Sequence, residues 1–234
     1  MNKLNLAALP EYTMTLPVSH LTVKYRPFVV KEEKVLLIAL QSSNQNQIND
    51  AIRNVVSACT KGVVDTKKLC TADTEYAFLQ IRCKSVGEEV KPQVLCGKCN
   101  QSTNYKIRLD EISVKQTDKQ TTTPEIKLSD NMTVIMRYPS MHDLDYNLSE
   151  VEMVIEMTKK CIESFIVNEE VILSKDLDSK EISDFVENLL PDQFEKVVMF
   201  FKSIPELKYC FSFKCPHCGE QNKIELESVT DFFR

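Results

Sequence analysis

Two four-residue runs, Cys96-Gly97-Lys98-Cys99 and Cys215-Pro216-His217-Cys218, carry the clearest chemistry in this chain. Two residues between paired cysteines let both sulfurs reach one metal from a tight turn, and two such pairs supply the four thiolates of a tetrahedral zinc site. One pair alone would be weak evidence, but these two sit in matching contexts. Each follows a strand-like run (93–95; 211–214) and precedes a polar turn and a second strand-like run (105–109; 223–226). Strand, knuckle, strand is half of a zinc ribbon, so Cys96, Cys99, Cys215 and Cys218 are the expected ligands of one structural Zn²⁺. His217, between the two cysteines of its knuckle, is not expected to bind. The chain has four glycines, and two of them, Gly97 and Gly219, lie in or directly after the knuckles. A backbone that reverses there often needs positive φ, which glycine adopts without a Cβ penalty.

Two other uses of paired cysteines fit less well. Disulfides belong to oxidising compartments, and nothing marks the chain as secreted. A redox CxxC places its first cysteine at the start of a helix after a buried strand. Here Cys99 runs into Asn100-Gln101-Ser102-Thr103-Asn104 and then alternating strand residues. Of the remaining cysteines, Cys59, Cys83 and Cys161 fall at helical spacing among apolar residues, where cysteine acts as a small hydrophobe.

The elements that must position the knuckles are legible as patterns. Residues 1–11 read as a loose arm. Residues 12–17 and 21–26 alternate with a period of two around Val18-Ser19-His20, which predicts a β-hairpin. Three helices follow: one through Val35 to Leu40, one on the stripe Ile48, Ile52, Val55, Val56 and Cys59, and one after Thr71-Ala72-Asp73-Thr74. Residues 88–95 climb as a strand into the first knuckle. Past it, residues 115–123 read as a polar loop and 125–128 and 132–137 as strands. A helical section is expected to begin in 139–147, with Val151, Val154, Ile155, Cys161, Ile162 and Phe165 as its stripe, and a short strand at 170–173. Asp178 with Glu181 is spaced as a capping box. Pro191 opens the next helix, with Phe194, Val197, Val198 and Phe201 as its apolar face. The fold class expected is α+β: an N-terminal β-hairpin plus helices, then a split zinc-ribbon-like antiparallel sheet with a largely helical insertion. The segments are 1–86 (hairpin and helices), 87–116 (first half of the ribbon), 117–206 (insertion) and 207–234 (second half and tail). One shared zinc would tie the insertion's ends together, and loop-closure entropy grows slowly enough with length to allow it.

Composition bounds the function. The 234 residues carry a net charge of −5, which leaves no basic footprint for nucleic acid. No apolar run approaches the ~20 residues of a membrane span, and residues 1–7 lack the apolar stretch of a signal peptide, so synthesis in the cytosol is expected. His20, His142 and His217 stand far apart, and no GxSxG, HExxH or glycine-rich phosphate loop is present. A closed four-thiolate zinc leaves no position for a catalytic water. The sequence therefore argues against an enzyme and against a small-molecule substrate. A nucleic-acid-binding zinc ribbon is the alternative. It draws on Lys91, Lys98, Lys106, Arg108, Lys208, Lys214 and Lys223, against the interleaved Glu220, Glu225 and Glu227. Phe232-Phe233 is expected to fold back onto the ribbon; if exposed, the pair would anchor another protein.

Extended blocks of the chain carry a resemblance. Leu16-Pro17-Val18, then Val23-Lys24-Tyr25-Arg26-Pro27-Phe28-Val29-Val30-Lys31-Glu32-Glu33-Lys34, resembles the start of baseplate hub proteins of T-even-like contractile-tailed bacteriophages (myoviruses). Glu75-Tyr76-Ala77-Phe78-Leu79-Gln80-Ile81-Arg82-Cys83-Lys84-Ser85-Val86-Gly87-Glu88 is similar to the same family. So are Gln193-Phe194-Glu195-Lys196, Ile204-Pro205-Glu206-Leu207, Phe213-Lys214-Cys215-Pro216-His217-Cys218-Gly219 and Asp231-Phe232-Phe233. The opening segment also looks like tail assembly chaperones, which hold the tape-measure protein. The resemblance implies a non-enzymatic morphogenesis protein, either a hub component or a hub assembly factor. Its implied partners are other baseplate hub or tape-measure proteins, and its place is the host cytoplasm during assembly or the virion tail baseplate. It implies no catalytic residue, and the zinc expectation rests on the cysteines of this chain.

Overall fold

The computed structural model describes residues 9–109, 112–115 and 124–226. The chain opens with a hairpin, β1 (Tyr12–Thr15) against β2 (Thr22–Tyr25), in the register Tyr12↔Tyr25. Alternation buries Met14, Val23 and Tyr25 on one face. Helices α1 (Val30–Gln41), α2 (Gln45–Cys59) and α3 (Thr71–Ser85) follow. Short strands β3 (Glu89–Val90), β4 (Gln93–Leu95), β5 (Ser102–Asn104), β6 (Ile107–Arg108) and β7 (Ser113–Lys115) surround the first knuckle. Then come β8 (Glu125–Ser129), β9 (Met132–Met136), α4 (Glu150–Cys161), β10 (Ile162–Val167), β11 (Glu170–Leu173), a 3-10 turn (Ser174–Asp176), α5 (Ser179–Glu187) and α6 (Pro191–Lys202). β12 (Glu206–Lys214) and β13 (Gln221–Leu226) frame the second knuckle. The fold is α+β.

The chain divides into two compact units. One comprises 1–66, 72–115 and 206–234, and the other 67–71 and 116–205. In the first unit, polar contacts tie the hairpin to the helices. Asp73, fully buried, accepts hydrogen bonds from the Val18 and Ser19 backbone N–H groups, both at 2.8 Å. The Arg26 guanidinium donates to Glu32 (2.9 Å), which in turn accepts from the Val29 N–H at the start of α1. The Phe28 N–H donates to Ser85 Oγ at the end of α3 (2.9 Å). α2 starts on an Asn44 side-chain cap and buries Ile48, Ile52, Val55, Val56 and Cys59, the stripe its spacing predicts.

The run 88–95 is two strands rather than one. Pro92 has no N–H to give a ladder, so pairing breaks between β3–β6 (Val90↔Ile107) and β4–β5 (Val94↔Thr103). The alternation continues through the break, burying Val90, Pro92, Val94 and Cys96.

In the second unit, β11-β10-β9-β8 form a four-stranded antiparallel sheet whose core joins Ile126, Leu128, Val134, Met136, Ile162, Phe165, Val186, Val197 and Phe200. Two details differ from the sequence reading. Ile162 and Phe165 lie in strand β10, because α4 ends at Cys161 and Ile162 already has extended backbone (φ −69°, ψ 121°). A short apolar run satisfies helix and strand periods alike, and here β9 and β11 supply the ladder on both sides. Residues 139–147 form turns instead of a helix start, and α4 begins on a Ser149–Glu152 capping box. The Asp178–Glu181 box and Pro191 at the first turn of α6 open their helices as expected, although α6 buries Val197 and Phe200 most deeply. Residues 1–8 of the arm expected at 1–11, residues 116–123 of the loop expected at 115–123, and the Phe232-Phe233 tail lie outside the described residues.

Candidate metal centre

The two knuckles are built by the same backbone bonds. In the first, the Cys96 N–H donates to Gln101 O (3.0 Å) and the Asn100 N–H to Cys96 O (2.9 Å). In the second, the Cys215 N–H donates to Glu220 O (2.8 Å) and the Gly219 N–H to Cys215 O (2.9 Å). The residue after each second cysteine takes positive φ, 54° at Asn100 and 75° at Gly219. Gly219 meets its expectation. Gly97 does not: its φ is not positive, and Asn100 is the left-handed residue of the first knuckle. Asparagine tolerates that conformation, so this position carried a signal that glycine counting passed over.

Three contacts join the halves around the cysteines. The Tyr105 ring stacks on Phe211, with centroids 4.3 Å apart and planes inclined by 16°. Lys98 Nζ meets Glu220 Oε2 at 2.9 Å. Asn222, buried on β13, accepts a hydrogen bond from the Gly97 N–H (2.9 Å) and donates to Cys96 Sγ (3.5 Å). β7 also pairs with β12, setting Lys115 opposite Glu206, so the two ends of the insertion leave from neighbouring strands.

This scaffold brings Cys96, Cys99, Cys215 and Cys218 together, with all four sulfurs within 4.8 Å of one another. Cys96 and Cys218 Sγ are 3.7 Å apart, as are Cys99 and Cys215 Sγ. A tetrahedron with metal–sulfur bonds of about 2.3 Å has edges of about 3.8 Å. A disulfide would need about 2.05 Å. The spacing therefore suits a shared cation, and His217 stands outside the set. The four thiols are not equivalent. Backbone N–H groups of Cys99 and Lys98 aim at the Cys96 sulfur and, with Asn222, bring its thiol down to about 6. At Cys218 the Glu220 N–H favours the thiolate, but burial and the three neighbouring sulfurs outweigh it and push the thiol up to about 12. Cys99 is raised too: the Gln101 N–H and the Cys218 sulfur favour its thiolate, but burial and the Cys215 and Cys96 sulfurs outweigh them. Four negative sulfurs this close repel one another, and a divalent cation is the species that removes that cost.

Cys59 and Cys161 behave as core atoms. Burial raises Cys59 to about 11 and Cys161 to about 12, which makes both poor nucleophiles. Four of the basic residues near the knuckles stand beside acidic partners. Lys98 pairs with Glu220, Lys106 with Glu89, Arg108 with Glu88, and Lys208 with Glu206 and Glu225.

Comparison with known protein families identifies one relationship. The profile of the family described as T4 bacteriophage base plate protein matches residues 9–234. The chain belongs to this family. The match runs through hairpin, helices, both knuckles and the insertion, so the baseplate assignment covers the whole described fold. No curated protein and no solved structure matches the chain. Membership in a baseplate family sets the cysteine cluster in a protein of phage tail assembly.

Proposed function

We propose that this chain is a non-enzymatic component or assembly factor of the baseplate hub, acting through protein–protein contacts, with Zn²⁺ held by Cys96, Cys99, Cys215 and Cys218. The family match over residues 9–234 carries the assembly reading. The sulfur spacing of 3.7 Å and the closed four-thiolate set support a structural zinc. Zinc would neutralise the four thiolates and lock the two knuckles into one ribbon; the chain's own residues orient the sulfurs through the backbone donors described above.

A role in protein contacts is supported by α1. It buries Leu36 and Ala39 yet leaves Val30, Val35, Leu37 and Ile38 exposed, at 46–77% of their surface. Its run Val35 to Leu40 is apolar on every side, which suits burial on more than one face. Its partners would be other hub or tape-measure proteins, met in the host cytoplasm during assembly or within the tail baseplate.

Two measurements test the reading. Native mass spectrometry of the purified chain should find one zinc per chain, lost on chelation; one zinc per two chains would replace the intramolecular site with an intermolecular one. Phage deprived of this chain should accumulate tails arrested before a complete baseplate, rescued by the wild-type gene. Normal tail assembly without the chain would sink the assembly role.

A further inference from the structure

We infer that Asn222 is a positioning residue of the cysteine cluster, holding the Cys96 sulfur at its vertex and clamping the first knuckle to the second half of the ribbon. The inference rests on the zinc reading above and adds a residue outside the four ligands.

Three contacts define the side chain. Oδ1 accepts from the Gly97 N–H at 2.9 Å, while Nδ2 donates to Cys96 Sγ at 3.5 Å and to Glu220 O at 3.1 Å. The amide cannot be reversed without setting its NH₂ against an N–H and its oxygen against a carbonyl, so its orientation is fixed. Asn222 is 9% exposed and paired in register with Phe213, so neighbours hold the group in place. It belongs to the strand leaving the second knuckle, yet two of its partners, Cys96 and Gly97, belong to the first. A single side chain thus couples the halves at the sulfur itself.

The repeat supplies an internal control. Asn222 lies seven residues after Cys215, opposite Phe213, and Thr103 lies seven after Cys96, opposite Val94. Thr103 Oγ1 is buried with no hydrogen-bond partner. The support given to Cys96 therefore does not follow from the knuckle fold alone. Hydrogen bonds from outside the ligand set orient metal-binding side chains, and their loss typically costs about 10–100-fold in affinity.

The test uses the full chain loaded with zinc, and separately with cobalt(II), comparing wild type with Asn222→Asp, Asn222→Ala and Thr103→Val. Asn222→Asp keeps an acceptor for the Gly97 N–H but has no donor for sulfur; Asn222→Ala loses both. Both should release zinc to excess chelator about 10-fold faster or more. Both should shift the sulfur-to-cobalt charge-transfer band to lower energy, because an N–H donor stabilises the sulfur electrons that the transition moves. Thr103→Val should match wild type in both readouts. If Asn222→Asp behaves as wild type, only the backbone clamp matters and the assignment to Cys96 is overturned. If wild type holds no metal, the zinc reading falls and this inference with it. A loaded wild type with indifferent Asn222 variants overturns this inference alone.

Discussion

The ribbon and the insertion solve the same problem with different means. The insertion closes a contiguous apolar core from four strands and its helices, with Val134, Met136, Cys161 and Val197 its most deeply buried residues. The ribbon strands are mostly two to six residues long, and they bury residues such as Val94, Ile107, Leu207, Phe211 and Phe213 beside the Tyr105–Phe211 stack. What converges there is sulfur. Strands this short gain stability from a cross-link, and a metal held by the four sulfurs would supply one.

The largest effect should come from taking that cross-link away. Structural zinc is worth on the order of 10–16 kcal/mol in small finger peptides. Chelation, or Cys215→Ser, should abolish hydrogen-exchange protection at 93–109 and 206–226 while the insertion's sheet stays protected. Cys59→Ser removes an equally buried thiol outside the cluster, one that accepts only a long contact from Arg26 Nη1 (3.8 Å), so the zinc should stay and stability fall by only about 1–3 kcal/mol. Equal losses in the two variants would remove the distinction between the regions.

The converse experiment attacks the core. Phe165→Ala deletes a ring packed edge-on against Phe185, with centroids 4.8 Å apart, and should cost about 3–5 kcal/mol. Zinc stoichiometry, read by mass spectrometry, should be unchanged.

A smaller effect belongs to an ion pair of the insertion whose acid is deeply buried. Arg137 donates to both oxygens of Asp143, at 2.6 and 3.0 Å, and Ser140 adds its N–H and hydroxyl, each at 2.8 Å. Burial alone would raise the Asp143 carboxyl, but Arg137 and Ser140 outweigh it and hold it below the ordinary aspartate range. A depressed folded value means the carboxylate's stabilisation is present above the unfolded value, and is lost as pH falls through the folded one. Asp143→Asn should therefore cost about 3 kcal/mol at neutral pH and flatten the acid limb of a stability–pH curve. A variant with an unchanged acid limb would assign that limb to other groups.

How much of this was legible in the sequence follows from the range of each signal. CxxC spacing is local and chemically narrow, so the four cysteines stood out and the structure brings them together. Capping at Asp178 and Pro191 was equally local. Asn100 and Asn222 were missed for different reasons. Asn100 follows Cys99 as Gly219 follows Cys218, but only glycine was weighed for positive φ, so its place in the turn was passed over. Asn222 acts on Cys96 across the whole insertion, a separation no spacing rule spans. The strand at Ile162–Val167 was hidden because its apolar residues fit both periods, and only the partners β9 and β11 decide between them.

The smallest effect sharpens the comparison along the seam between the two knuckles. Lys98 and Glu220 join the same halves as Asn222, but their side chains are 66% and 42% exposed. Water and salt screen such a pair, and both side chains lose rotamer freedom in forming it. Lys98→Ala should therefore leave zinc release and melting at wild-type values in physiological salt, where Asn222→Ala accelerates release. Faster release from Lys98→Ala that disappears at high salt would mean that surface charge, as well as the buried amide, holds the knuckles together. Release at the wild-type rate at every salt concentration would assign the polar coupling of the seam to the one side chain that water does not reach.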